Sequence, residues 1–481
     1  MPELLKMYIG GTWREGSDGA RIEVINPATE EPVAQLSMAS PVDLEDALAA
    51  ARQGFQVWRQ IPVVERTRLI QRVGQLLRER CDAFSHDLTL EEGKTLHQAK
   101  WEILATADYF DDLAATASQL FGRAVPVGVG GITRAVTYEP IGPVFAVSPW
   151  NLPAMMPGRK IANSIAAGCS IVVKPAKETP ITAYAIARCC EDAGIPPGVV
   201  NIVSGDSSMV SAAMISSKVI RKISFTGSTN VGKDLAQLAG AHMKKVTMEL
   251  GGHAPVIVFD DIDLPAVVET SVVARYSNAG QSCIAPTRFF VHERIYDDFV
   301  QLFSERARSL RVGNGLDPQV QMGPLASARR LVVMESLVRD AVAKGATLTT
   351  GGTRLKGKGH YFAPTVLADV PPTADIMTEE PFGPVTAIAA FGDGEAIVDR
   401  ANETAYGLAA YVFTRDLERA ARVVSGIEAG MIGVNSMAAA HATVPFGGVK
   451  NSGIGREGTI DGLLESMVTK SISTGRSSAG S

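Results

Sequence analysis

At 481 residues, and roughly one domain per 150, the chain has material for about three domains, each able to bury a core. Hydrophobic residues at 46%, charged residues at 20%, and 46 glycines and 26 prolines spread along the chain describe a globular protein. A net charge of -5, from 46 basic and 51 acidic residues, leaves no surplus of cations for a phosphate backbone and argues against nucleic acid as a partner.

The opening Met-Pro-Glu-Leu-Leu-Lys-Met-Tyr lacks a cationic stretch followed by an apolar one. No later window approaches the roughly 18 apolar residues that span a bilayer, so a cytoplasmic enzyme without a membrane partner is expected. From Pro41 to about Leu120, apolar residues such as Leu44, Ala47, Leu48 and Ala51 recur at helical spacing and predict several amphipathic helices. Gly122 to Thr137 alternates valine and isoleucine with glycine and threonine, which fits an extended hairpin or arm. Short β-rich runs then alternate with helical segments: Val144 to Val147 with Ile161 to Ala167, Ser170 to Val173 with Pro180 to Asp192, and Val199 to Val203 with Met209 to Ser216. This predicts βαβ units on a parallel sheet, the usual frame of a nucleotide site. A second α/β series starts near Ala254 and runs past Phe391, with no short repeat and no disordered linker between the halves.

Five cysteines, at 81, 169, 189, 190 and 283, show no C-x-x-C pairing. They suit a reducing compartment, predict no metal site, and leave room for one reactive thiol. Cys283 closes Asn278-Ala-Gly-Gln-Ser-Cys, where a glycine permits an unusual backbone path. It is a candidate nucleophile if its thiolate is favoured, or a small buried hydrophobe if not. Glu249 ends an apolar strand before Leu-Gly-Gly252; it can serve as a general base, or as a solvated strand-end charge or cap. Asn151, in Ser148-Pro-Trp-Asn-Leu-Pro153, follows a strand whose carboxyl end is where α/β sheets bind ligands; it can donate to an oxyanion or simply make a turn. Phe225-Thr-Gly227-Ser228 leads from a strand into a helix and suits a pyrophosphate. The literal G-x-G-x-x-G at Gly453 to Gly458 follows no apolar strand and is discounted as a phosphate loop.

In register over nearly the whole chain, Pro149-Trp-Asn-Leu-Pro153, Lys174-Pro-Ala, Phe225-Thr-Gly-Ser-Thr229, Met248-Glu-Leu-Gly-Gly252, Gly280-Gln-Ser-Cys283, Glu380-Pro-Phe382-Gly-Pro and Pro445-Phe-Gly-Gly-Val-Lys450 resemble the aldehyde dehydrogenase superfamily. The resemblance implies an α/β fold of two doubly wound parallel-sheet domains plus a small β oligomerisation arm. It places a cofactor-binding domain at 1–121 and 141–250, a catalytic domain at 251–435, and the arm at 122–140 and 455–475, in a homodimer or homotetramer. It implies that Cys283 attacks the aldehyde, that Asn151 and the Cys283 amide stabilise the oxyanion, and that Glu249 activates water to release a free acid. It assigns Trp150, Lys174, Lys177, Gly227, Ser228, Glu380 and Phe382 to an NADP or NAD cofactor.

Two departures bear on specificity. Three residues after Lys174, NAD-preferring relatives carry a glutamate; here Lys177 stands in that place with Glu178 beside it, so NADP use is expected. The general appearance resembles the succinate-semialdehyde dehydrogenase group, in which Arg159 would pair with a substrate carboxylate. That group's second arginine is Ser277 here and its carboxylate-binding serine is Ala440, with Arg275 and His441 close by. A semialdehyde substrate is the first expectation and a neutral aliphatic or aromatic aldehyde the second. A coenzyme-A-acylating enzyme or a non-catalytic binding protein are further alternatives, which Glu249, and the intact set of Cys283, Glu249 and Asn151, speak against.

Overall fold

The computed structural model describes residues 3–125 and 132–475. Part of the expected arm, 126–131, lies outside the described residues. Two large sheets dominate the architecture, and a smaller sheet carries the arm segments.

The first large sheet has eight strands in the order Gly453–Ile454, Lys245–Glu249, Lys222–Thr226, Val144–Val147, Ile171–Lys174, Val200–Ile202, Met7–Ile9, Thr12–Arg14. The five from Lys245–Glu249 to Val200–Ile202 run parallel. They read as continuous apolar runs because both faces are buried. Val144 and Ala146 pack into the core under the helices Val63–Glu79 and Leu96–Ala117, while Phe145 between them packs on the opposite side with Leu44, Ala47 and Met214. Chain progression reverses at Val144–Val147, since Ile171–Lys174 lies on one side of it and Lys222–Thr226 on the other. A crevice opens at such a reversal, beyond the carboxyl ends of the strands.

The second large sheet runs Thr347–Thr350, Thr365–Ala368, Val385–Phe391, Pro286–His292, Ala254–Val258, Ala409–Phe413, Met431–Val434, parallel except for the first strand. Phe289, Phe290, Phe299 and Phe303 fill its core. A three-stranded antiparallel sheet pairs Met467–Thr474 with Thr133–Pro140, and the latter with Arg123–Val125. The fold is the expected α/β arrangement of two parallel-sheet bodies with a small β element.

One local expectation needs correction. The helix expected from Ile161 begins six residues earlier, as Met155–Ala166. Its cap is remote: Glu102, on the helix Leu96–Ala117, accepts the Ala154 and Met155 amides at 2.8 and 3.1 Å, and nothing local signals that. Residues 3–37, to which the sequence reading assigns no element, form five strands, two of which extend the first sheet.

Candidate active site

The helix Leu264–Tyr276 gives way to a tight turn in which Asn278, Ala279 and Gly280 take φ of 49°, 51° and 72°. Three successive left-handed residues, two of them not glycine, are strained and persist only where the surroundings dictate them. Gln281 supplies part of that constraint: its amide donates to the Asn278 carbonyl at 3.1 Å and its side-chain oxygen accepts Ala326 N–H at 2.9 Å. The turn delivers Cys283, partly buried, just before the strand Pro286–His292.

From the first sheet, Glu249 ends its strand, and the glycines after it cross directly behind this turn. A Cβ on Gly252 would overlap the Cys283 carbonyl oxygen, so only glycine permits this approach. Glu249 is 1% exposed, and neither carboxylate oxygen has a hydrogen-bond partner among the described residues. Burial, then the Glu457 carboxylate, hold its carboxyl well above the usual range, against the pull of Lys160, Arg159 and Arg456. Burial also pushes the Cys283 thiol up to about 12, with Glu380 and Glu249 adding to it and Arg159 opposing.

Asn151 follows the strand Val144–Val147 and donates from Nδ2 to the Gln281 carbonyl at 2.9 Å, so its carboxamide is tied to the turn that presents Cys283. Beside it, the Trp150 ring meets Phe382 edge to face, with centroids 5.4 Å apart. Phe382 is held at φ 44° in a loop whose Pro381 and Phe382 carbonyls accept the Arg330 guanidinium. Glu380 in the same loop accepts Gly252 N–H at 2.9 Å, and burial raises its carboxyl to about 7. Trp150, Asn151, Glu249, Cys283, Glu380 and Phe382 thus lie within one connected set of contacts.

The remaining cofactor candidates stand at or just after the ends of the strands Ile171–Lys174 and Lys222–Thr226. Lys174 ends its strand almost fully buried, which lowers its ammonium's pKa, whereas Lys177 and Glu178 are exposed. Gly227 turns against the Phe225 ring, which a Cβ would meet at 2.5 Å. Ser228 caps the 13-residue helix Thr229–Ala241 without a side-chain capping bond, and its first turn holds no acidic residue. Those amides and the helix dipole suit an anion.

A cavity of about 370 Å³ opens above Cys283, walled by Trp101, Tyr109, Leu152, Met155, Met156 and Phe446. Ala438, Ala439 and Ala440 leave one side unobstructed, and Ser277 and His441 also line it. Arg159 borders the cavity but is 1% exposed. Its guanidinium is stacked between Tyr109 and Phe446, 4.4 and 4.3 Å from their centroids, donates to Tyr109 Oη at 2.8 Å and lies 3.7 Å from Glu457. Arg275 faces away, donating to the Gly383 and Val385 carbonyls at 2.5 Å each. It does not stand in for the arginine replaced by Ser277.

Two buried charge clusters escaped the sequence reading. Lys160 Nζ meets Glu457 at 2.5 Å and Ser224 at 3.0 Å behind Glu249. Lys94 Nζ meets Glu102 at 2.5 Å and the Asn151 carbonyl at 2.8 Å. Glu457 sits inside the Gly453 to Gly458 stretch set aside as a phosphate loop, whose first residues instead form an edge strand on Glu249's own strand. Each cluster depends on a residue of another element, Glu457 for Lys160 and the Asn151 carbonyl for Lys94, so no spacing pattern could reveal its role.

Residues 13–472 match the aldehyde dehydrogenase family model. The chain belongs to the aldehyde dehydrogenase family, and is an oxidoreductase that acts on aldehydes with a nicotinamide cofactor. It is 44% identical to a 4-(hydroxymethyl)benzenesulfonate dehydrogenase of Comamonas testosteroni, over 98% of this chain and 97% of that one. It is 37% identical to the NADP-dependent succinate-semialdehyde dehydrogenase of Escherichia coli, over 97% of each chain. Among solved structures, succinate-semialdehyde dehydrogenase from Burkholderia pseudomallei superposes with a TM-score of 0.96 at 40% identity, covering 98% of each chain.

Proposed function

We propose that this enzyme oxidises an aldehyde to the free carboxylic acid through a thioester on Cys283, with Asn151 and Glu249 as its partners. The observation that carries this reading is the approach of the Glu249 strand end to the Cys283 turn at Gly252. In it, the Cys283 thiolate attacks the aldehyde carbon, and the Asn151 carboxamide, oriented by Gln281, donates to the oxyanion. The cofactor supplies hydride acceptance at its nicotinamide end, leaving an acyl group on sulfur. Glu249, free of hydrogen bonds, takes a proton from water, which hydrolyses the thioester and returns the thiol. A carboxylate with nothing else to bind supports hydrolysis over transfer to coenzyme A.

The cofactor fits the crevice: the uncapped start of Thr229–Ala241, with Gly227 and Ser228, suits the pyrophosphate, and Lys174 the adenosine ribose. Glu380, Phe382 and Trp150 stand on the nicotinamide side. Lys177, exposed beside the strand end, supports NADP, since an ammonium attracts a 2′-phosphate that a carboxylate would repel.

For the substrate, the cavity weighs toward an aldehyde with an apolar or aromatic body, because its walls are Trp101, Tyr109, Leu152, Met155, Met156 and Phe446 and its only buried cation is stacked between rings. The semialdehyde reading keeps one structural support, the unpartnered Nε and Nη1 of Arg159, along with relatives that act on succinate and glutarate semialdehydes. The proposed division is 1–121 and 141–250 for cofactor, 251–435 for catalysis, and 122–140 with 455–475 as the arm that joins subunits in a homodimer or homotetramer; the strands Arg123–Val125, Thr133–Pro140 and Met467–Thr474, paired in one small sheet, support the arm. Five free cysteines favour the cytoplasm.

Cofactor absorbance, followed with succinate semialdehyde, butanal and benzaldehyde, each with NAD and NADP, tests the reading. The expected result is a kcat/KM for benzaldehyde about tenfold above that for succinate semialdehyde, with NADP preferred. The reverse order would restore the semialdehyde, and no turnover with any combination would end the proposal.

A further inference from the structure

Behind the pocket, a buried cation reaches the backbone of the residue read above as the oxyanion donor. Lys94 follows Gly93, whose φ of 96° ends the helix Cys81–Glu92 and turns the chain inward. The Lys94 side chain is 2% exposed and lies among Glu92 and Glu102, both fully buried. Its ammonium donates to Glu102 Oε2 at 2.5 Å and to the Asn151 carbonyl at 2.8 Å. Burial alone would strip such a lysine of its proton, but the two carboxylates outweigh it and keep the charge.

The Asn151 carbonyl accepts a second donor, Asn278 Nδ2 at 2.9 Å, from the strained turn that presents Cys283. Glu102 in turn accepts the Ala154 and Met155 amides, so the same ion pair anchors the chain on both sides of Leu152 and Pro153. The peptide carrying the Asn151 side chain is therefore gripped at its carbonyl by one cation and one amide, and the carboxamide at its other end is aimed by Gln281. A lysine that served stability alone would need only the glutamates; this one spends a donor on a carbonyl beside the reacting atoms.

We propose that Lys94, assisted by Asn278, is a positioning residue that fixes Asn151 for oxyanion stabilisation. The proposal rests on the cysteine-thioester reading above. Preorganised donors act by being held where charge develops, and small displacements are costly. Loss of Lys94 is expected to slow every step that forms a tetrahedral oxyanion, and to leave untouched any reaction of Cys283 that forms none.

Two reactions of the same thiol separate these cases. Acylation by p-nitrophenyl acetate passes through an oxyanion as the sulfur–carbonyl bond forms and p-nitrophenolate departs. Alkylation by iodoacetamide displaces iodide at a saturated carbon with no oxyanion. In Lys94→Met, the p-nitrophenolate burst rate and the kcat for aldehyde are expected to fall about 30-fold, with alkylation and KM within about twofold of wild type. In Asn278→Ala, which keeps the Lys94 ammonium in place and removes an amide that also contacts the buried Glu92, the burst is expected to fall about fivefold with alkylation again unchanged. A parallel fall in burst and alkylation would mean a purely structural role and overturn the proposal. So would an unchanged burst in Asn278→Ala, whether or not Lys94→Met folds. Cys283→Ala run alongside keeps the two readings apart: if it retains the burst and turnover, the cysteine mechanism itself is wrong, whereas if both vanish and the Lys94 and Asn278 variants match wild type, only the positioning role fails.

Discussion

Glu102 and Glu249 are both buried carboxylates within the surroundings of Cys283, and their environments are opposite. Glu102 accepts from the Lys94 ammonium and from two backbone amides. Glu249 accepts from nothing and has Glu457 as its nearest electrostatic burden. Burying a charge is expensive unless it is paired and hydrogen-bonded. The first carboxylate meets that condition and builds structure; the second does not, which fits the water-activating role proposed for it. Stability and reactivity have been assigned to different glutamates.

The contrast can be broken from several sides. The largest effect is expected at the shared target: Cys283→Ala should lower kcat by more than about 10³-fold in a cofactor-reduction assay, whatever happens to either glutamate. Glu249→Gln should cut steady-state turnover by about 10²-fold while a single rapid burst of reduced cofactor survives, since acylation does not need the base; a lost burst would move Glu249 to the first chemical step. The same variant should melt higher. The Glu249 carboxyl is raised in the fold, so its favourable contribution is complete below the ordinary carboxyl pKa and disappears as pH rises through the elevated one. Calorimetry should therefore find Glu249→Gln stabilised by about 1–3 °C at pH 8 and indistinguishable from wild type at pH 4.

Glu102→Gln should do the reverse, losing about 3–5 kcal/mol because Lys94 and its neighbours are left unbalanced; a melting temperature equal to wild type would refute the comparison. Turnover should rise with pH across the neutral and alkaline range, because the thiol, raised to about 12, and the Glu249 carboxyl must both lose protons to act. A flat profile would point to a non-chemical slow step. The smallest effect lies at the rim of the crevice, where Lys177→Glu should shift the NADP to NAD ratio of kcat/KM by about tenfold toward NAD.

What could be read from the chain divides along the same line. Strand ends of a parallel sheet obey strong local rules, so Val144 to Val147 and its Asn151, or the strand ending at Glu249, stand out as apolar runs followed by polar residues and glycine. Cys283 could be named only as a candidate, because its turn depends on Ala279 following Asn278 in the left-handed region, which alanine's own preference opposes. Resemblance supplied its role. Residues held by partners on other elements were invisible: Lys94 by the Asn151 carbonyl, Lys160 by Glu457 across nearly 300 positions, and the start of Met155–Ala166 by a carboxylate on another helix. Arg159 was visible as a residue, but not as a cation stacked between two rings.

The edge strand Gly453–Ile454 has a consequence for how the protein is made. It pairs with the strand that ends in Glu249, and Glu457, four residues after Gly453, is both the partner of Lys160 and, after burial, a cause of the raised Glu249 carboxyl pKa. Everything else that shapes this pocket is translated earlier. The surroundings of Glu249 are thus completed by residues made about 200 positions after its own strand, and a nascent chain carries the Cys283 thiol before those surroundings exist.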